Sequence, residues 1–171
     1  ALGYVRPSPS EKHAAMPQQF DRSAEDLGNA IHFEHVNVQV PDQRLATLFY
    51  VTGLGLTRDP YLMVSDTNMW INAGRSQFHL PSGQAQVLRG HTALVIPGRE
   101  ALLKRLSSVA PKLESTAFAF SERNDHVEAT CPWGNRLRVY EPDAARFGRI
   151  NLGIPHVEFE VPAGTAKGIC A

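Results

Sequence analysis

One short pattern occurs three times in this chain: a histidine, a strand-forming stretch and then a proline. The copies span residues 35–41, 91–97 and 156–162. In the first copy Val36 and Val38 alternate with polar residues, which is the period of a β-strand with one buried face. A unit that recurs along a chain indicates an array of one supersecondary structure. The fold is therefore expected to be built from repeats of that unit.

The residues after the first copy predict a helix and then three strands. Leu45, Leu48 and Phe49 form the apolar stripe of a helix that covers a sheet. Turn residues then separate three short runs of strand-forming residues. The expected first unit is a strand at 33–40, a helix at 43–52, and strands at 56–64, 68–73 and 77–80.

The second copy predicts the same order of elements. Leu102, Leu103 and Leu106 supply the buried side of its helix. The expected second unit is a strand at 91–96, a helix at 99–109, and strands at 115–121, 126–131 and 136–141. Two units of identical order favour a fold with internal pseudo-symmetry.

The two ends of the chain do not complete a further unit. Residues 1–32 are interpreted as an N-terminal extension with a short helix over Asp21–Ala30. Residues 144–171 are interpreted as a polar linker followed by the first strand of a third, incomplete module. Two explanations stay open: the chain is a fragment of a longer protein, or this last strand docks on another part of the structure.

Composition and charge exclude several classes of partner. Lys plus Arg and Asp plus Glu both number 17, so no net charge attracts nucleic acid or an anionic membrane. No apolar run approaches the length of a membrane span. Cys131 and Cys170 are too few for a disulfide framework and favour reduced thiols. We therefore expect a cytoplasmic protein whose partner is a small molecule.

Five motifs in order resemble the vicinal-oxygen-chelate superfamily, which includes glyoxalase I, bleomycin-resistance proteins and extradiol dioxygenases. Residues 35–42 are similar to the superfamily's opening strand. Residues 48–50 and 53–56 are similar to its helix and the glycine-rich end of that helix. Residues 90–95 and 134–141 are similar to its fifth and eighth strands. The match covers residues 33–143. It implies an α+β fold in which paired βαβββ modules, at 33–82 and 89–143, form a curled mixed sheet around a central cleft, with the helices on the outer face.

The resemblance also implies a set of metal ligands. Metal-dependent members take one ligand from each of the first, fourth, fifth and eighth strands, and the matching residues here are His35, His79 and His91. Strand alternation agrees, because His35 faces away from the valine stripe and His79 lies between two apolar neighbours. Imidazole ligands suit a divalent transition metal, here Fe, Zn, Ni or Mn.

The eighth strand departs from the family pattern. Its usual glutamate is replaced by Arg138, and Glu141 has the parity of the opposite face unless a bulge intervenes. Since a guanidinium repels a cation, the usual ligand set is not intact. Arg138 is instead predicted to hold a substrate anion, and Tyr140 to position a substrate or relay a proton. The other residues predicted to line the substrate site are Asn37, Gln39, Trp70, Asn72 and Gln77.

Two functions of different class follow from these residues. One is a metal-dependent lyase, isomerase or ring-cleaving dioxygenase that acts on an oxygen-chelating substrate, and the three histidines favour it. The other is a metal-free, bleomycin-resistance-like binding protein, which Arg138 favours. A third hypothesis is that the chain is a degenerate structural half of a longer enzyme. The sequence leaves open whether the modules pair within one chain, in a homodimer or with a second module pair. His156 is left for a second site or for none, while His13, His32 and His126 are interpreted as surface or structural residues.

Overall fold

The computed structural model describes residues 32–61, 65 and 67–170. The described residues up to Val161 belong to one compact unit. The helix predicted at Asp21–Ala30 lies outside the described residues. Residues 162–170 are not part of this unit and carry a short helix at Ala166–Cys170. None of the described helices combines the length and the apolar character needed to cross a membrane.

The first module has the predicted order of strand, helix and three strands. Its elements are β1 (His35–Asn37), α1 (Gln43–Ala46) continued by a π-helix (Thr47–Gly53), β2 (Thr57–Arg58), β3 (Asn68–Ala73) and β4 (Ser76–Pro81). They form a four-stranded sheet of order β1-β4-β3-β2, with β1 parallel to β4. β2 ends at Arg58, before Pro60, which has no N–H with which to continue the ladder; the strand was predicted at 56–64, and residues 62–64 of it lie outside the described residues.

The second module repeats this order. Its elements are β5 (Gly90–Val95), α2 (Arg99–Leu113), β6 (Ala119–Glu122), β7 (His126–Thr130) and β8 (Arg136–Tyr140). β5 runs parallel to β8, as β1 does to β4 in the first module. The predicted α+β fold of paired βαβββ modules is confirmed.

The third copy of the repeat adds a strand to the second sheet. β9 (Val157–Phe159) pairs antiparallel with β5, which gives a five-stranded sheet of order β6-β7-β8-β5-β9. Of the two explanations left open by the sequence, docking on another part of the structure is therefore observed. The segment predicted as a linker contains a further helix, α3 (Ala144–Phe147), which begins where the Asp143 carboxylate accepts the N–H groups of Ala145 and Arg146.

One hydrophobic core joins the two modules. It contains Phe49 from the π-helix, Leu106 from α2, and the inward residues of both sheets. The helices approach closely at Gly53, where an added Cβ would lie 3.3 Å from Cγ2 of Val109. Because the helices cover one face of each sheet, polar strand residues are left to the opposite faces.

Candidate metal centre

Alternation along β5 and β8 separates core residues from those on the open face of the second sheet. Leu94, Leu137 and Val139 belong to the shared core. The register pairs His91 with Arg136 and Ala93 with Arg138, and paired residues point to the same face. His91 and Arg138 thus lie on the face opposite the core.

The docking of β9 brings two further ligand-type side chains to His91. Glu158 is opposite His91 in the antiparallel register, and the carbonyl of His156 accepts the N–H of Ala93. Oε1 of Glu158 lies 3.5 Å from Nε2 of His91 and 3.3 Å from Nε2 of His156. One ligand atom from each of the three residues lies within 4.8 Å of the others. In the described part of the chain, no other such group of three histidine, cysteine or carboxylate side chains is found.

The state of His91 fits a metal ligand. Its side chain is buried, and its Nε2 makes no hydrogen bond to any described residue. Burial lowers the pKa of His91, and the charge of Arg138 lowers it further against the opposing effect of Glu158. The neutral imidazole, which carries a free lone pair, therefore predominates at pH 7. Oε1 of Glu158, at 3.5 Å, is too far away to form a good hydrogen bond with this nitrogen, so a bound ion would satisfy it.

The other two predicted ligands lie on the first sheet and already have partners. The ring of His79 stacks on the ring of Trp70, with centroids 4.0 Å apart and planes inclined by 9°. Nε2 of His79 is 2.8 Å from Oδ1 of Asn68, and Nδ1 of His35 is 2.5 Å from Oε2 of Glu34. Burial lowers the pKa of His79, and the nearby His35 adds to the effect.

The three histidines predicted from the resemblance are only partly brought together. His35 and His79 are neighbours, with ring centroids 6.3 Å apart. His91 is on the second sheet, and the three do not form a group whose ligand atoms all lie within 4.8 Å of one another. Metal binding by this set stays a prediction.

The residues predicted to line the substrate site share the face of the first sheet opposite the core. Gln77 donates its side-chain N–H groups to Oδ1 of Asn72 at 2.7 Å and to Oδ2 of Asp59 at 3.2 Å. Asn37 is exposed, whereas Gln39 is half-buried. Together with Trp70, they form a polar and aromatic surface whose contact with a substrate stays a prediction.

The two predicted catalytic residues differ in access. Tyr140 is only 4% exposed, because Arg146 and Phe147 of α3 cover its ring. The guanidinium carbon of Arg146 lies 4.1 Å from the Tyr140 ring centroid. Arg138 is half-buried and borders an open depression. A catalytic role for Tyr140 stays a prediction, and the tyrosine has no open access in this structure.

Glu141 serves the fold. Its carboxylate accepts the backbone N–H groups of Gly98, at 3.2 Å, and of Arg99. These are free donors at the start of α2, where negative charge is favourable. The strand parity expected from the sequence thus places Glu141 on the helix side, away from the open face.

Sequence reasoning did not identify His156 and Glu158 as candidate ligands of this centre. The signal was present, since alternation in the third copy of the repeat puts both residues on one face of a strand. The sequence did not show which strand lies beside the strand that carries them. Pairing with β5 supplies that information.

Three solved structures illustrate what this chain is similar to. Lactoylglutathione lyase from Agrobacterium tumefaciens is 18% identical over 65% of this chain and 93% of its own, with a TM-score of 0.45. A glyoxalase/bleomycin resistance protein from Albidiferax ferrireducens is 14% identical over 64% and 98%, with a TM-score of 0.48. A glyoxalase/bleomycin resistance protein/dioxygenase family enzyme from Burkholderia phytofirmans is 16% identical over 64% and 98%, with a TM-score of 0.47. No family model and no curated protein matches the chain.

Proposed function

We propose that this chain is a metal-dependent enzyme that acts on a small molecule through neighbouring oxygen atoms. The observation that carries the proposal is the group formed by His91, His156 and Glu158, in which the buried Nε2 of His91 has no hydrogen-bond partner among the described residues. The reaction would be of the lyase, isomerase or ring-cleaving dioxygenase type.

The donor set supports a divalent transition metal. His91 and His156 would hold the ion through ring nitrogens and Glu158 through its carboxylate, with the remaining positions left for water or substrate. Two histidines and one carboxylate are the donors used by non-haem Fe(II) oxygenases, so Fe(II) is favoured over Zn, Ni or Mn. Such an ion, when bound, acts as a Lewis acid toward a ligated oxygen.

A second candidate function is metal-free binding of a small molecule. It is favoured by the first sheet, where His79 is already occupied by Asn68 and Trp70. It is also favoured by Arg138, which stands where the resembling family carries a metal-binding glutamate. In this alternative the open sheet faces would bind a ligand without changing it.

Metal content distinguishes the two functions. The protein is purified without added metal or chelator, and its metals are measured by elemental mass spectrometry for the wild type, His156→Ala and His79→Ala. We expect about one ion per chain in the wild type and in His79→Ala, and its loss in His156→Ala, since removing a metal ligand strongly weakens a site of this kind.

Two results would contradict this expectation. A wild type without metal, even after reconstitution with Fe²⁺, Zn²⁺, Mn²⁺ or Ni²⁺, would favour the metal-free function. Loss of metal in His79→Ala with retention in His156→Ala would instead favour the set His35, His79 and His91 predicted from the resemblance.

A further inference from the structure

We propose that this protein has a second binding site, a cavity away from the candidate metal centre that takes a small anion with an apolar body. The cavity has a volume of about 490 Å³ and is lined by residues 32–33, 74–76 and 149–155. None of the three candidate metal ligands lines it. Its volume lies within the usual range for small-molecule sites in proteins. Three observations support the proposal: the fixed walls of the cavity, its exposed apolar side chains and its charge.

Contacts between distant parts of the chain hold the walls of the cavity in place. Gly153 exchanges two backbone hydrogen bonds with Val95 of β5, at 2.8 and 3.2 Å, which fixes the segment 149–155 to the second sheet. The same segment lies directly against the turn between β3 and β4, because a Cβ added to Gly74 would overlap the carbonyl of Leu152. The walls are therefore formed before a ligand arrives, and little ordering is required when it binds.

Exposed apolar side chains are concentrated at this cavity. Phe33 is 39% exposed and Leu152 is 38% exposed, although both are large apolar residues. Ile150, which is half-buried, and Ile154, which is buried, also line the cavity. The Ser76 hydroxyl donates to the carbonyl of Phe33 at 2.9 Å and so fixes the backbone of that residue at the wall. An apolar ligand in the cavity would cover surface that is otherwise left to water.

The charged groups at the cavity are arginines. Arg75, in the turn between β3 and β4, and Arg149, which follows α3, both line it and are exposed. Neither guanidinium makes a hydrogen bond or an ion pair with any described residue. Among the described residues that line the cavity, none is an aspartate or a glutamate. Two positive charges without a carboxylate beside them favour an anionic ligand.

Apolar surface and positive charge together define the class of ligand. Its apolar body would pack on Phe33 and Leu152, and its anionic head would pair with Arg75, Arg149 or both. Carboxylates and phosphates both match the fork of N–H donors that a guanidinium presents. A short fatty acid and an alkyl phosphate have this chemistry. The inference goes beyond the proposed function and does not depend on it, because no metal takes part.

The test uses four probes that differ in one feature each. Octanoate and octyl phosphate carry an apolar chain and an anionic head, octanamide lacks the charge, and acetate lacks the chain. Each is titrated into metal-free protein; calorimetry measures the affinity, and shifts of backbone amide signals in NMR spectra locate the site. The largest shifts are expected at Gly74 and Gly153, which lie at the cavity wall.

We expect the wild type to bind at least one of the two eight-carbon anions about fivefold or more tightly than octanamide. Ion pairs with exposed arginines each contribute a modest amount, and two are available. Acetate should bind much more weakly than octanoate, because it covers little apolar surface. The tighter of octanoate and octyl phosphate identifies the head group that the site prefers.

Variants separate the contributions of charge and apolar surface. Replacing both arginines, Arg75→Gln with Arg149→Gln, should abolish the preference for the anions and leave octanamide binding unchanged. Leu152→Ala should weaken all three eight-carbon probes alike. Arg58→Gln is the matched control, because Arg58 is also exposed and lies outside the cavity, so the preference for the anions should survive in it.

Four results would overturn the inference. They are binding of no probe, equal affinity for octanamide and both anions, a preference that persists when both arginines are replaced, and amide shifts confined to other parts of the chain. The signals of Gly74 and Gly153 are also recorded at several protein concentrations without a probe. If they shift with concentration, a second copy of the chain covers the cavity, and the proposal of a small-molecule site is wrong.

Discussion

Each sheet carries histidines on the face opposite the core, yet these histidines have different surroundings. On the first sheet, His79 is stacked on Trp70 and lies within hydrogen-bond distance of Asn68. On the second sheet, Nε2 of His91 is buried without a hydrogen-bond partner among the described residues. The difference shows that strand position alone does not make a histidine a candidate ligand. The neighbours must also leave its lone pair free.

The two sheets also differ by one strand. β1 lies at the edge of its sheet, whereas the corresponding edge of β5 is occupied by β9. β9 and the residue before it bring Glu158 and His156 to the open face. The pseudo-symmetry of the two modules is therefore broken by the third copy of the repeat, and chemistry is expected where the symmetry is lost.

The largest effect is expected from breaking the core that the two sheets share. Leu106→Ala should lower the free energy of unfolding by about 2–5 kcal/mol, because it leaves a cavity between α2 and the π-helix. The two tryptophans report on different modules, since Trp70 lies in β3 and Trp133 precedes β8. Denaturant unfolding of Trp70→Phe and Trp133→Phe backgrounds should give coincident transitions. Separate transitions would mean that the modules are independent and that their sites are to be compared as separate domains.

The next largest effect concerns the two carboxylates that contact histidines, one on each sheet. Glu158→Gln should weaken Zn²⁺ binding by about a hundredfold or more, since it removes the one charged ligand of the candidate centre. Glu34→Gln, which alters the carboxylate beside His35, is the matched control and should leave the affinity nearly unchanged. Competition against a chelator of known affinity measures both. A larger loss of Zn²⁺ affinity in Glu34→Gln than in Glu158→Gln would indicate that the metal binds on the first sheet.

Sequence reasoning reached the fold and the orientation of side chains, but not the assembly of the candidate centre. β3 was predicted with its observed bounds, Asn68–Ala73, because alternation and turn residues are local signals. The same alternation correctly placed His79 on the face opposite the core, between the core residues Phe78 and Leu80. The pairing of β9 with β5 and the cover that α3 places over Tyr140 depend on contacts between residues distant in sequence. Periodicity specifies the face on which a side chain lies and does not specify which strand or helix lies beside it.

An intermediate effect is expected on the pKa values of His79 and His91 in metal-free protein. Burial is the larger cause of both lowered pKa values, and a nearby basic group is the second: His35 for His79 and Arg138 for His91. Arg138→Gln should therefore raise the pKa of His91 alone, and His35→Ala that of His79 alone. Both should stay below the ordinary value of about 6.5, because burial remains. NMR titration of the imidazole protons measures these shifts, and equal effects of either variant on both histidines would contradict the assignment.

The same lowered pKa values fix the direction in which stability depends on pH. Below about pH 6.5, His79 and His91 bind protons more readily in the unfolded chain than in the folded protein. The free energy of unfolding therefore falls as the pH is lowered from that value. The loss ends below the folded pKa values, where both states are protonated. Unfolding midpoints in urea between pH 7.5 and pH 5 should decrease in metal-free wild type, and the decrease should be smaller in Arg138→Gln.

The smallest effect tests what occupies His79. Asn68→Ala removes the hydrogen bond to Nε2 of His79 and should lower the free energy of unfolding by about 1 kcal/mol. It should not add a second metal ion, because Trp70 still stacks on the ring of His79. In addition, no described carboxylate forms a group with both His35 and His79, as Glu158 does with His91 and His156. Metal content and urea unfolding measure the two quantities on one preparation. A second equivalent of Zn²⁺ in Asn68→Ala would mean that the hydrogen bond alone keeps the first sheet from binding metal, and the two sheets would then differ by one asparagine rather than by the strand β9.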